Sequence, residues 1–174
     1  RDYSWLTRIG KPVVAAVNGH CVGLGFVIAL FCDVRLAADT AKFSTIFAKR
    51  GLIAEYGLAW TLPRLVGAGR ALDLLLSARL FDGSEAARLG LVEHLFAEAE
   101  FMDRARAYVE EMAHGVSPRS ARVMKAQVYA ALEQPLEDAV ARAHREMLPS
   151  LASEDFREGV AHFLEKRPPR FTGR

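Results

Sequence analysis

Residues 11–33, Lys-Pro-Val-Val-Ala-Ala-Val-Asn-Gly-His-Cys-Val-Gly-Leu-Gly-Phe-Val-Ile-Ala-Leu-Phe-Cys-Asp, constrain the fold more than any other stretch. The apolar run Val13–Val17 has the length and β-branched content of a buried strand. Asn18-Gly19 ends it, and Gly23 and Gly25 shape a turn that feeds an apolar helix over Leu24–Phe31. The first N–H groups of a helix have no intrahelical partner, and the helix dipole adds partial positive charge to them. Such a turn aims donors at one point, where a partial negative charge can be held.

Strand and helix continue to alternate after this unit. Val34–Ala38 reads as a second strand and Lys42–Ser44 as a short extended segment. Gly57–Val66 and Arg70–Ser77 carry helical apolar spacing, interrupted by Pro63 and by Gly67-Ala68-Gly69. Ser84 is the expected N-cap of a short helix, and Leu91–Phe96 returns to strand. Beyond about residue 98 the pattern is helical only, over Phe101–Ala113, Ser117–Leu132, Leu136–Met147 and Glu154–Lys166. Ser117-Pro118 supplies a cap followed by proline at the first helical position, Pro135 opens the third helix in similar fashion, and Arg167-Pro-Pro-Arg170 cannot continue the fourth. The expected organisation is an α/β core over residues 1–98 followed by a helical region over residues 99–174.

Composition narrows the function classes. Hydrophobic residues make up 51% and charged residues 25% of the chain, as in ordinary globular proteins. A net charge of +2 argues against a nucleic-acid partner, and the arginines are expected on solvated helix faces. The longest apolar run, Val22–Cys32, is half of what a bilayer requires, and no signal-like segment opens the chain, so no membrane partner is expected. Cys21 and Cys32 are expected to be reduced, buried and non-nucleophilic, in a cytoplasmic setting. His94, His114, His144 and His162 have no ligand spacing, so no metal is expected.

Residues 11–33 resemble the signature of the crotonase (enoyl-CoA hydratase/isomerase) superfamily. Phe43–Pro63 looks like that family's second active-site segment, and Leu65–Ala71 and Ala86–Val92 like its following helix and its Ala-Arg-Leu-Gly-Leu-Val element. Phe156–Arg167 looks like its C-terminal helix, so the ordered motifs span about residues 10–171. The resemblance implies a ClpP/crotonase-like core of ββα repeats and a C-terminal helical trimerisation region. It also implies an acyl-CoA substrate, no cofactor beyond the coenzyme A carried by that substrate, and a homotrimer or hexamer. The family's opening third, with one of its two oxyanion N–H groups, has no counterpart before Val13. A fragment, a separately treated domain or a chain with an absent N-terminus is therefore expected, with exposed sheet edges and half of the site.

By the same resemblance, the backbone N–H of Leu24 is an oxyanion donor, with Gly23 and Gly25 permitting the tight path. The family's hydratases use two glutamates, and this chain has Val27 and Phe47 in their places. Glu55 falls where dienoyl-CoA isomerases of the family carry an aspartate. Set among Leu52, Ile53, Ala54 and Leu58, its carboxylate is expected to have a raised pKa suited to proton transfer. The alternative for Glu55 is pairing with Arg50 or a helix-capping group. Val27, Phe47 and Trp60 are the expected acyl-contact residues, and Lys166 matches the family's lysine for the CoA phosphate or adenine. His20 is expected to pack behind the turn, and Asp33 to be a structural acceptor.

The function expected from the sequence is thus an acyl-CoA enzyme, more isomerase-like than a two-glutamate hydratase. Hydration with a different acid/base set, a non-catalytic acyl-CoA-binding or scaffolding role, and RNA binding are the alternatives. A dinucleotide site is disfavoured because Ile28 stands where the G-x-G-x-x-G pattern needs glycine or alanine.

Overall fold

The computed structural model describes residues 2–174; Arg1, the first residue of the expected core, lies outside the described residues. The chain divides into two compact units, one of Arg1–Thr7 with Val13–Arg106 and one of Arg8–Pro12 with Ala107–Arg174. The change of unit falls inside the helix Phe101–Gly115, because Phe101 and Ala105 on its first turns are buried in the core of the first unit.

Among the described residues, the first unit contains two three-stranded sheets. β1 (Val14–Val17), β3 (Val34–Ala38) and β6 (His94–Phe96) form a parallel sheet with β3 in the middle. β2 (His20–Val22), β4 (Lys42–Ser44) and β5 (Phe81–Asp82) form the second sheet, in which β2 and β4 are parallel and β5 is antiparallel. The first two strand pairs each give one strand to each sheet before the chain turns into helix. β1 and β2 precede α1 (Leu24–Phe31), and β3 and β4 precede α2 (Leu58–Val66) and α3 (Ala68–Ser77). The registers agree, with Val14 opposite Val34 in one sheet and His20 opposite Lys42 in the other. β1 is an edge strand among the described residues.

The core lies where both sheets meet the helices. Phe26, Val27, Leu36, Leu58, Leu62 and Leu74 are each below 2% exposed. Phe43 and Phe81 pair across β4 and β5 with rings stacked at 5.7 Å, and Phe26 of α1 sets its edge against both. Arg35 departs from the expectation that the arginines are solvated. Its side chain is buried, donates to the carbonyls of Leu91 and Cys32 at 2.8 Å each, and pairs with Glu93. The Glu93 carboxylate also accepts the Arg35 backbone N–H at 2.7 Å, tying β3 to the segment before β6.

Two short strands, β2 and β5, were not expected, since three and two residues are too few for a periodic signal. The cap of α4 (Gly83–Leu89) is Asp82 rather than Ser84, with the carboxylate accepting the Glu85 N–H at 2.9 Å. The helix starts early because Gly83 lies against β3: a Cβ there would stand 2.2 Å from the Ala38 carbonyl oxygen. Backbone cannot yield as a side chain does, so Gly83→Ala is expected to destabilise the protein by about 3 kcal/mol. An unchanged urea midpoint for that variant would show that the helix can move off β3.

In the second unit, α5 (Phe101–Gly115) is followed by α6 (Pro118–Ala131), α7 (Leu136–Leu151) and α8 (Glu154–Glu165). Ser117 caps α6 as expected, its hydroxyl accepting the Ser120 N–H at 3.1 Å, and Ser153 caps α8 in the same way. α7 runs through Pro149 to Leu151, past its expected end at Met147. The tail after α8 folds back along that helix. Asp155, at the start of α8, accepts the Thr172 and Gly173 N–H groups at 2.8 and 3.0 Å and the Ser117 hydroxyl at 2.5 Å. Burial penalises this carboxylate, but the hydrogen bonds outweigh it and hold its pKa below the ordinary value. Glu158 accepts the Arg170 N–H at 2.6 Å and pairs with Arg167, whose guanidinium holds the Glu158 pKa down to about 2.

Candidate active site

The glycine turn sits between β2 and α1. Gly23 is buried in a conformation (φ +58°, ψ −118°) that a side chain rarely adopts, and it is the N-cap of α1 without a side-chain cap bond. Its N–H donates to the Ser44 carbonyl at 3.1 Å, and its carbonyl accepts the Val27 N–H at 3.0 Å. Leu24 is therefore the first helical residue, and its N–H has no acceptor among the described residues. Its side chain is 39% exposed, and Gly25 beside it is exposed as well. A Cβ at Gly25 would meet nothing within 4 Å, so internal packing does not require that glycine. The end of α1 is open to an incoming group.

The second segment leaves β4 through Ser44, Thr45 and Ile46. Ser44 and Thr45 are each 1% exposed, and their hydroxyls donate to the Ala78 and Leu74 carbonyls around the end of α3. A short 3₁₀ turn over Phe47–Arg50 follows, and Gly51 (φ +69°) ends it. Glu55 is half-buried just before α2, where its carbonyl accepts the Leu58 N–H at 3.0 Å. Its carboxylate has no ion-pair or hydrogen-bond partner among the described residues, so the expected alternative of pairing with Arg50 is not realised. The apolar surroundings expected for Glu55 form only in part: Leu58 is buried, while Leu52 and Ile53 are 47% and 79% exposed. Tyr56 and Gly57 both have positive φ, and the Tyr56 ring meets Tyr3 edge-on at 5.5 Å. A Cβ at Gly57 would stand 3.2 Å from the Phe31 ring tip, so this segment docks against the last residue of α1.

The remaining expected residues are placed as follows. Val27 is fully buried on α1 and Phe47 is 6% exposed at the start of the 3₁₀ turn. Trp60 lies on α2 beneath the Arg64 guanidinium, 4.0 Å from its ring centroid. Lys166 belongs to the second unit, exposed at the end of α8 with φ +53°. His20 is exposed rather than packed behind the turn, because it opens β2 on the side away from the core. Asp33 accepts the Val13 N–H at 2.7 Å, the structural role expected of it. Both cysteines are free and buried; burial, with a lesser contribution from Cys32, pushes the Cys21 thiol up to about 12. No group of three or more histidine, cysteine or carboxylate side chains among the described residues could hold a metal ion. No helix among them is long and apolar enough to cross a membrane.

Sequence reasoning missed Ser44, Thr45 and Ile46, which hold the second segment in place. Serine and threonine after a strand are ordinary, and an isoleucine carries no signal of positive φ.

A family model described as enoyl-CoA hydratase/isomerase matches residues 1–174. The chain belongs to the enoyl-CoA hydratase/isomerase family. A probable enoyl-CoA hydratase of Rhodobacter capsulatus is 44% identical over 163 residues, covering 94% of this chain and 63% of the relative. A probable enoyl-CoA hydratase of Mycobacterium tuberculosis is 37% identical over 169 residues, covering 97% of this chain and 65% of the relative. The crystal structure of an enoyl-CoA hydratase from Bacillus anthracis superposes with a TM-score of 0.94 at 28% identity, over 99% of this chain and 66% of that one. The fold is therefore the crotonase fold, and the chain spans less than two thirds of each of these relatives.

Val27 and Phe47, the two positions where the resemblance implied acids, are both apolar and buried. Within the segment Phe43–Pro63 the only carboxylate is Glu55.

Proposed function

We propose that this chain carries part of the active site of an enzyme acting on acyl-CoA thioesters. The thioester enolate is held at the Leu24 N–H, and Glu55 moves the proton between carbons of the acyl chain. The observation that carries the reading is the uncapped start of α1, where the Leu24 donor has no acceptor and Gly25 leaves open space. A fixed N–H beside developing negative charge stabilises a transition state more than water does, since it needs no reorganisation. Glu55 suits the proton step because its carboxylate is half-buried and uncommitted. With Val27 and Phe47 in place of acids, the paired activation of water is missing, and double-bond migration through one carboxylate fits better.

The same proposal assigns Val27, Phe47 and Trp60 to the acyl side and Lys166 to the phosphate or adenine of coenzyme A, with no separate cofactor. Self-association as a trimer or hexamer belongs to it too, supported by the apolar side chains of the helical unit. Leu136, Phe163 and Leu164 there are 75%, 76% and 72% exposed. Buried, free thiols favour a cytoplasmic setting.

One second reading has a specific support. Relatives carry names such as probable enoyl-CoA hydratase and, in mouse, mitochondrial methylglutaconyl-CoA hydratase. Hydration with Glu55 and exposed His20 in place of the glutamate pair follows from that. Incubating the full chain with crotonyl-CoA and a 3-enoyl-CoA in deuterated water separates the two. Double-bond migration with deuterium uptake is expected, whereas water addition to crotonyl-CoA would establish the second reading. Inertness toward both thioesters, with tight binding retained, would leave a non-catalytic acyl-CoA-binding role.

A further inference from the structure

We infer that Ile46 is a positioning residue that fixes the Gly23–Leu24 peptide and with it the direction of the Leu24 N–H; the inference rests on the proposed oxyanion role of that group. Ile46 has φ +57° and ψ −21°, and the Phe47 N–H reaches back across it to the Thr45 carbonyl at 2.8 Å. That closes a γ-turn of the positive-φ form, a strained conformation that β-branched residues almost never occupy. Strain of this kind persists only where the surroundings over-determine it.

The surroundings here are all hydrogen-bonded. The Ser44 hydroxyl accepts the Ile46 N–H at 3.1 Å and donates to the Ala78 carbonyl, while the buried Thr45 hydroxyl donates to the Leu74 carbonyl at 3.0 Å. The Ile46 carbonyl in turn accepts the Lys49 N–H at 3.1 Å. Ser44 also accepts the Gly23 N–H through its own carbonyl, so one residue ties the γ-turn to the glycine turn.

The isoleucine side chain completes the link. Its Cγ2 lies 3.2 Å from where a Cβ on Gly23 would stand, and no other atom of the described residues beyond Gly23's own chain neighbours comes within 4 Å of that position. Glycine or asparagine would take the torsions of residue 46 at less cost. The isoleucine side chain fills the space beside the glycine whose torsions aim the Leu24 N–H, and that placement is what the strain at residue 46 sustains.

Ile46→Gly and Ile46→Val, made in the full chain, test this. Backbone ¹⁵N relaxation at Leu24 and turnover in the deuterated-water assay are the two readouts. For Ile46→Gly the Leu24 order parameter is expected to fall from about 0.85 to below about 0.6. The thermal midpoint stays level or rises, since the strain is relieved, and kcat drops about ten-fold with KM unchanged. Ile46→Val, which keeps the γ-methyl, restores most of both losses. An unchanged Leu24 order parameter in Ile46→Gly would overturn the positioning role, whatever the kinetics. A mobile Leu24 with undiminished turnover would uphold the packing and overturn the oxyanion reading instead.

Discussion

Glu55→Gln is expected to lower turnover of an enoyl-CoA thioester by roughly 10²–10⁴-fold, the usual contribution of a positioned acid or base. Glutamine keeps the size and the half-buried position of the side chain but cannot accept a proton. Since no described residue bonds or pairs with the Glu55 carboxylate, the change breaks no structural contact, and stability should hold. The loss should appear in kcat, with KM little altered, because the proton moves only in the transition state. Loss of deuterium uptake with the thioester still bound is the measurement that checks it. Full activity in Glu55→Gln would remove Glu55 from the mechanism and shift the proton to His20 or to another group.

Leu24→Pro addresses the other half of the proposal. Proline has no N–H, yet the first helical position tolerates it because that N–H has no intrahelical partner and the ring presets a helical φ. Leu24 is at that position and its side chain is 39% exposed, so deletion of the donor changes little else. Turnover is expected to fall by about 10²–10³-fold, equal to the loss of one oxyanion donor, while the circular dichroism spectrum and thermal midpoint stay near those of the parent. Leu24→Ala, which retains the N–H, should stay within a few-fold of the parent. Equal activity in Leu24→Pro and Leu24→Ala would show that the enolate is held elsewhere.

The long elements of this fold were legible because their patterns repeat. β1 and β3 were readable from their apolar content, and the helices near their observed limits from spacing and from caps such as Ser117. β2 and β5 were not, because strands of three and two residues owe their existence to the partner strand rather than to their own composition. The start of α4 depended on how near Gly83 lies to Ala38, a tertiary fact that no local signal carries. For the site, the Gly23–Leu24–Gly25 turn was plain because glycine announces unusual torsions. Glu55 stood out through the resemblance and the lack of any other carboxylate nearby. Ile46 was silent: a side chain held against its own preference looks, in sequence, like any other isoleucine.

The tail that folds back along α8 is gripped by its main chain. Asp155 and Glu158 take hold of the peptide N–H groups of Arg170, Thr172 and Gly173, while side chains add the Arg167 pair, the Thr172 hydroxyl on Glu154 and the Phe171 ring edge-on to His162. Much of the information for the tail's path thus resides in two acids on the helix. Position 170 is bound to Glu158 only through its N–H, and proline at 170 or 172 would be refused. A segment held in this way can change sequence at a position such as 170 while its course stays fixed.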